Sequence, residues 1–486
     1  MTSSDRRPVS CLPFLAGLAA IAIGWLILWL ADYPRPHVDD PFFTGTAINL
    51  CRGGGLTNPW LAEWMRLFGT DRFWVQPPFQ PYLLAAWLKI FGVCTRSILG
   101  FQCLVGLCAT AATLILLRQM RLGYCKCAAV LFLEIMFLLG MGLRPDAAGL
   151  ALVASAAVCW LRGGSGWWFA GCLFGAAAPV VLPFTIALVA PLGLWSLFRR
   201  TGTSADCFAM PANRAHKLVL AIAAAVVIFA LFAAAIHLQL EGFVHTFRQH
   251  AAMRTPSPGL RLKAFREELA LGWEPFLRGP SIILFLAVIA VSSRVDSAAH
   301  ASRLAAALFV GFVALGMWLY AQYTPQYSYL LAMIGSATLV ERLPPCFNRR
   351  LFSSFWWMLS AVMPVPFVLE VAFCRPIPTD STMYATLRSR VSQTPYRVLE
   401  FDEYALRYVF DFNPPIDSQD WLQCRSGAAL SESSVAQKPA GEAWLVDARK
   451  LELYVPSAGV RAERAMIFGR RFGTLVRHPG ELYFLP

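Results

Sequence analysis

From about residue 11 the chain repeats one pattern, an apolar run closed by a short polar turn. The runs fall at about 11–31, 98–117, 127–143, 147–161, 167–178, 180–198, 218–238, 280–293, 304–320, 327–340 and 351–371. A helix of roughly 20 apolar residues crosses a bilayer, so the pattern predicts eleven spans, with an odd short pair around Pro179. Two long interruptions, 32–97 and 239–279, carry mixed polar and apolar residues. "PPFQPYLLAAWLKIFGV" in the first has only about 14 apolar-rich residues after its prolines, the length of an interfacial or re-entrant helix and not of a span. Beyond residue 373 the pattern changes. "EAWLVDARKLELYVP" and "MIFGRRFGTLVRHPGELYFLP" show short apolar alternations broken by Gly, Pro and Asp, as strands and turns do.

Composition agrees: 57% of the 486 residues are hydrophobic and 15% charged, which excludes a soluble multidomain protein of this length. The basic head "MTSSDRRPVS" and the long run after it, with no small-x-small cleavage site, read as a retained first span. The net charge of +13 matters less than its placement. With the N-terminus inside, the short inner turns collect fifteen Arg and Lys, among them Arg118, Arg121, Arg199, Arg200, Arg349 and Arg350. Loops 32–97 and 239–279 then lie outside, and an odd number of spans leaves 374–486 outside too. The expected architecture is an α-helical polytopic membrane domain, 1–373, with a small α/β extramembrane domain, 374–486.

Several chemistries are excluded. No phosphate-binding G-x-x-x-x-G-K-[ST] is present, and "RGGSG" is a turn without strand–helix context. No H-E-x-x-H or Cys/His spacing marks a zinc site, and nothing points to nucleic acid. Most of the thirteen cysteines sit within apolar runs as small hydrophobes. Cys125-Lys-Cys127 reads as a helix end, and a Cys374–Cys424 disulfide is left open.

The polar residues that stand out begin at "HVDDPFFTGTAINLCRGGG", residues 37–55. Asp40 before Pro41 is a helix start and "RGGG" a stop, so Asp40 is expected to cap a helix lying on the outer surface. Asp39 is then left over at the mouth of the bundle. The same side receives Arg144 and Asp146 from "GLRPDAAGL", Gln76 before the Pro-Pro pair, His245, Arg248, His250 and Arg254 from the second loop, and Tyr323 and Tyr327 from "YAQYTPQYSYLLAMI". Each has a plain alternative: a salt bridge between Arg144 and Asp146, headgroup contacts for the loop cations, an aromatic belt for the tyrosines. Glu134, in the middle of a span, is expected to pair with a neighbouring helix.

In order, these features resemble the polyprenyl-phosphate-sugar-dependent glycosyltransferases of the GT-C class, above all the bacterial relatives of protein O-mannosyltransferases and of aminoarabinose transferases. The features are the acidic pair after the first span, the Pro-Pro segment leading to "LLAAWLKIFG", the "RPD" turn, the "YSYLLA" span and the outer tail. Two departures are Asp40 where Glu is usual and Gln76 where a basic residue or His is usual. The resemblance implies transfer of a sugar from a polyprenyl-phosphate donor to a lipid, glycan or protein acceptor at the outer face of an inner membrane. It also implies roles. Asp39 is the general base, with Asp40 and Asp146 as supporting acids. Arg144, Gln76, Arg248, His250, Arg254, Tyr323 and Tyr327 are candidates for substrate contacts. No cofactor is assigned; a divalent ion at Asp39 and Asp146 is left open. The rival readings are a flippase for lipid-linked sugars, which would show inverted repeats, and a membrane scaffold.

Overall fold

The computed structural model describes residues 12–37, 39–61, 65–120, 122–198 and 214–254, five strands beyond residue 374, and Ser389, Arg407, Asp411 and Phe412. The four expected spans between 280 and 371, Tyr323, Tyr327 and the cysteines Cys374 and Cys424 lie outside the described residues, and with them the count of eleven.

Helix α1 is Leu12–Leu30, α2 Asp40–Cys51, α3 Phe79–Phe91, α4 Thr95–Gln119 and α5 Tyr124–Gly140. Then come α6, Asp146–Arg162, α7, Ser165–Ala177, α8, Ile186–Phe198, α9, Arg214–Ala235, and α10, Leu240–Arg254. Of the described helices, α1, α4 and α9 are long and apolar enough to cross a membrane. The short pair expected around Pro179 appears as α7 and α8, with two 3-10 turns, Ala178–Val180 and Pro183–Thr185, between them, because proline cannot donate to the helical ladder.

Packing follows from side-chain spacing. Helix α1 buries Ile21, Trp25 and Leu28, one stripe at helical period, and leaves Leu15, Ile23, Leu26, Ile27 and Leu30 exposed. Such a surface suits lipid, which is as apolar as leucine. The Trp25 ring lies on Gly106 of α4, where an added Cβ would come within 2.4 Å of it, and its indole N–H donates to Thr110 Oγ1 at 3.0 Å. The small residue lets the two backbones approach, and the hydroxyl satisfies the only polar atom of the ring. Helix α6 packs on α7 in the same way: Trp160 fills the space over Gly171. Between α4 and α5, Thr113 Oγ1 donates to Glu134 Oε1 at 2.8 Å, so the fully buried acid pairs with a neighbouring helix as expected.

Helix α3 is the short helix foreseen after the prolines. It buries Gln80, Leu84, Ala85 and Leu88 and leaves Leu83 and Ile90 exposed. Helix α2 departs from expectation. It does not lie on a surface: every residue from Asp40 to Ile48 is buried. Asn58 accounts for part of this, since its amide donates to the carbonyls of Pro41 and Phe42, both at 3.2 Å, and folds the following loop over the helix.

The C-terminal strands are β1, Arg375–Ile377, β2, Tyr396–Leu399, β3, Ala443–Asp447, β4, Glu463–Phe472, and β5, Leu475–Leu485. They form one sheet in the order β1-β4-β5-β3-β2. The β2–β3 pair is parallel and the other pairs antiparallel, with β4 and β5 paired from Glu463 opposite Phe484 to Phe472 opposite Leu475 across register shifts at Arg464/Met466 and Phe468/Arg470.

Candidate active site

Two turns meet at the ends of the helices. One joins α1 to α2 and carries His37, Asp39 and Asp40; the other joins α5 to α6 and carries Gly142, Leu143 and Arg144. Gly142 makes their contact possible. It has a φ of +61°, and a Cβ there would stand 2.4 Å from His37 Cβ and 2.7 Å from Asp40 Oδ1. Gln102 of α4 anchors the second turn, its amide donating to the carbonyls of Gly142 at 3.1 Å and Arg144 at 3.2 Å.

Asp40 is fully buried. Its Oδ1 accepts the Leu143 N–H at 2.9 Å and its Oδ2 accepts the His37 N–H at 3.0 Å. The expectation that Asp40 caps α2 is therefore corrected. The N-cap position is Asp39, and its side chain makes no capping bond. Asp40 instead clasps the two turns, because a carboxylate with both oxygens on backbone N–H groups gains more there than at a helix end water can reach.

Arg144 is the centre of the charge cluster. Its Nη1 donates to Asp39 Oδ2 at 2.7 Å and its Nε to Asp146 Oδ2 at 2.9 Å. The guanidinium also sits over the Phe43 ring, 5.7 Å from its centroid. Asp146 and Asp40 have no exposed surface, whereas Asp39 keeps 21% of its side chain exposed. Of the three acids, Asp39 is thus the one a substrate can reach. The salt bridge foreseen between Arg144 and Asp146 is present, extended to Asp39.

His37, to which the sequence reading gave no role, is a further member. Its Nδ1 accepts the Asp39 N–H at 3.2 Å and stands 3.8 Å from Asp39 Oδ2. Burial pushes the imidazole below its usual pKa, against the opposing pull of the Asp39 carboxylate. A neutral ring with a free Nδ1 lone pair is what the backbone bond requires.

The remaining candidates are spread out. Gln76 follows Trp74, whose ring covers Gly242 of α10, and its Oε1 is buried without a partner among the described residues. His250 is buried against Phe42 and Phe68, at ring separations of 6.3 and 6.0 Å, so it reaches the α2 side of the site as part of an aromatic cluster. Arg248 is exposed, on the other side of the same helix, so the two do not form one clamp. Arg254 ends α10.

Among the described residues no three His, Cys, Asp or Glu side chains converge as a metal site. The facing oxygens of Asp39 and Asp146 are held by one guanidinium, so a divalent ion between them would have to displace a cation already bonded to both. The donors present do not fit a metal there, and no step below runs through one.

The fold is that of the GT-C class of glycosyltransferases. ArnT from Cupriavidus metallidurans, solved with bound undecaprenyl phosphate, matches over 98% of this chain and 98% of its own, with a TM-score of 0.56 at 11% identity. An oligosaccharyltransferase from Archaeoglobus fulgidus, solved with zinc and sulfate, covers 84% of this chain and 58% of its own, with a TM-score of 0.41 at 13% identity. Neither a protein-family model nor a curated protein sequence matches the chain.

Proposed function

We propose that this protein transfers a monosaccharide from a polyprenyl-phosphate-linked donor to a hydroxyl of a lipid, glycan or protein acceptor at the outer face of the inner membrane. The observation that carries the reading is the unequal exposure of the three acids. Asp39 alone is open, and it is oriented by Arg144 and by a turn bonded on both sides. The ArnT-like fold supports a polyprenyl-phosphate partner, since that structure holds undecaprenyl phosphate.

In this mechanism the acceptor oxygen attacks the anomeric carbon of the donor while its proton passes to an Asp39 carboxylate oxygen. The new C–O bond forms as the bond from the anomeric carbon to the phosphate oxygen breaks, and polyprenyl phosphate leaves with the electron pair. Displacement is direct and inverts the anomeric centre, with no covalent intermediate on the protein. Arg144 holds Asp39 in place, Asp146 holds Arg144, and Asp40 and His37 fix the turn. Exposed Arg248 of α10 is the candidate cation for the departing phosphate. Residues 1–373 form the transferase domain and 374–486, with its five-stranded sheet, a domain on the outer side.

Reconstitution in vesicles with a polyprenyl-phosphate sugar labelled in the sugar tests the reading. Label appearing in an acceptor, with release of polyprenyl phosphate, supports it. Label that only changes leaflet, still on its lipid, would replace the transferase with a flippase.

A further inference from the structure

The turn that leads to Asp39 is held by a residue from the far end of the chain. Asp32 and Pro34 follow α1, and Asp32 adopts a left-handed φ of 59°, a conformation that non-glycine residues keep only where the surroundings impose it. The Arg407 guanidinium donates from Nη1 to the Pro34 carbonyl and from Nη2 to the Asp32 carbonyl, across 373 and 375 residues of sequence. Arg407 is 2% exposed, so this fork is inside the protein and not a surface contact.

Arg407 and Asp411 both bond the start of α4 as well. Asp411 Oδ1 accepts the N–H of Thr95, the first residue of α4, at 2.6 Å, and the Arg407 carbonyl accepts the Thr95 hydroxyl at 3.1 Å. First-turn amides have no partner within their own helix, so a carboxylate there satisfies a donor and favours the helix dipole. Phe412, next along, is fully buried. Two charged side chains from the C-terminal part therefore reach, respectively, the end of α1 and the start of α4.

We propose that Arg407 is a positioning residue for Asp39. By holding the carbonyls at 32 and 34 it fixes the turn that ends in His37, Asp39 and Asp40, so the C-terminal segment must be seated for the general base to stand in place. This rests on the assignment of Asp39 above. The turn is bonded from the opposite side by Leu143 and Arg144. Arg407 supplies the restraint from the α1 side, where Cys103 Sγ, at 3.4 Å from the Tyr33 carbonyl, offers a weaker one. A base displaced by about 1 Å loses on the order of 100-fold in rate.

The test uses the full-length protein with Arg407→Gln, Arg407→Lys and Asp411→Ala, read by amide hydrogen exchange and by transfer kinetics. In Arg407→Gln the amides of Asp39, Asp40 and Phe43 are expected to exchange on the order of 10-fold faster, with no change in α6, as for local opening. The kcat is expected to fall on the order of 10–100-fold, with the KM for donor unchanged. Arg407→Lys, which reaches one carbonyl at a time, restores part of both, and Asp411→Ala, which removes the acceptor of the Thr95 N–H, gives the same local pattern more weakly. Unchanged exchange in the turn, exchange raised throughout the chain, or a higher KM at constant kcat would each overturn the proposal. Should Arg407→Gln fail to fold, absence of the local pattern in Asp411→Ala overturns it. If the wild-type protein transfers no sugar, the reaction assignment falls, while the exchange pattern still decides the role of Arg407.

Discussion

Substituting Arg144 by Met keeps the length and apolar stem of the side chain and removes the guanidinium from between two acids. Asp146 has no exposed surface and loses its partner at 2.9 Å. Breaking such a buried pair on one side costs about 3–5 kcal/mol, mostly the penalty of leaving a charge in a low-dielectric site. Asp39, 21% exposed, can turn to solvent and adds at most about 1 kcal/mol. Arg144→Met is therefore expected to lose about 3–5 kcal/mol. The double variant Arg144→Met/Asp146→Leu, which removes the stranded charge as well, should recover a large part, because an apolar pair of similar volume is often as stable as a buried ion pair. Reversible unfolding of the detergent-solubilised protein, followed by tryptophan fluorescence, gives the four corners of the cycle. A loss below about 1 kcal/mol in the single variant, or a double variant worse than the single, would refute the claim that Arg144 organises the cluster.

Gly142→Ala should disrupt the contact between the turns, since its Cβ would meet His37 Cβ at 2.4 Å and the φ of +61° disfavours any side chain. A loss of about 1–3 kcal/mol in the same unfolding assay, together with most of the activity, is expected. Because burial lowers the His37 pKa, the fold prefers the neutral ring. The stability this contributes is full above the unfolded value of 6.5 and is lost as pH falls through the lower folded value, so the protection of the Asp39 amide, taken relative to its intrinsic exchange rate at each pH, should fall at acid pH. His37→Asn, which keeps an acceptor that does not titrate, should flatten that dependence; an unchanged profile would count against it. Glu134→Gln retains an acceptor for the Thr113 hydroxyl and should shift stability by less than about 1 kcal/mol, whereas Thr113→Val, which removes a donor from a buried acid, should cost about 1–3 kcal/mol.

Helix positions were legible wherever run length alone decides them. Helices α1 and α4 through α9 lie within a few residues of the apolar runs, because an apolar stretch bounded by Arg or Gly has few alternatives in lipid. The partnership of Asp39 with "RPD" was legible only as chemistry brought to one side; the shared guanidinium is a tertiary fact. Asp40 shows the limit most clearly. Asp before Pro is a strong local signal for a cap, yet its oxygens bond His37 and Leu143, the latter 103 residues away, and no local pattern encodes that. Gln102 and Arg407 left no signal in their neighbourhoods: their partners are backbone carbonyls of distant turns.

The central claim is that Asp39 takes the acceptor proton. Its most direct test is the single-turnover rate of Asp39→Asn with a labelled polyprenyl-phosphate sugar, alongside binding of polyprenyl phosphate. Asparagine keeps the volume and can still accept from Arg144 through its amide oxygen, but it cannot take the proton. The account predicts a rate lower by about 100- to 10,000-fold with lipid binding retained and inverted product from the wild-type protein. Near wild-type transfer by Asp39→Asn, or retention of configuration, would contradict it.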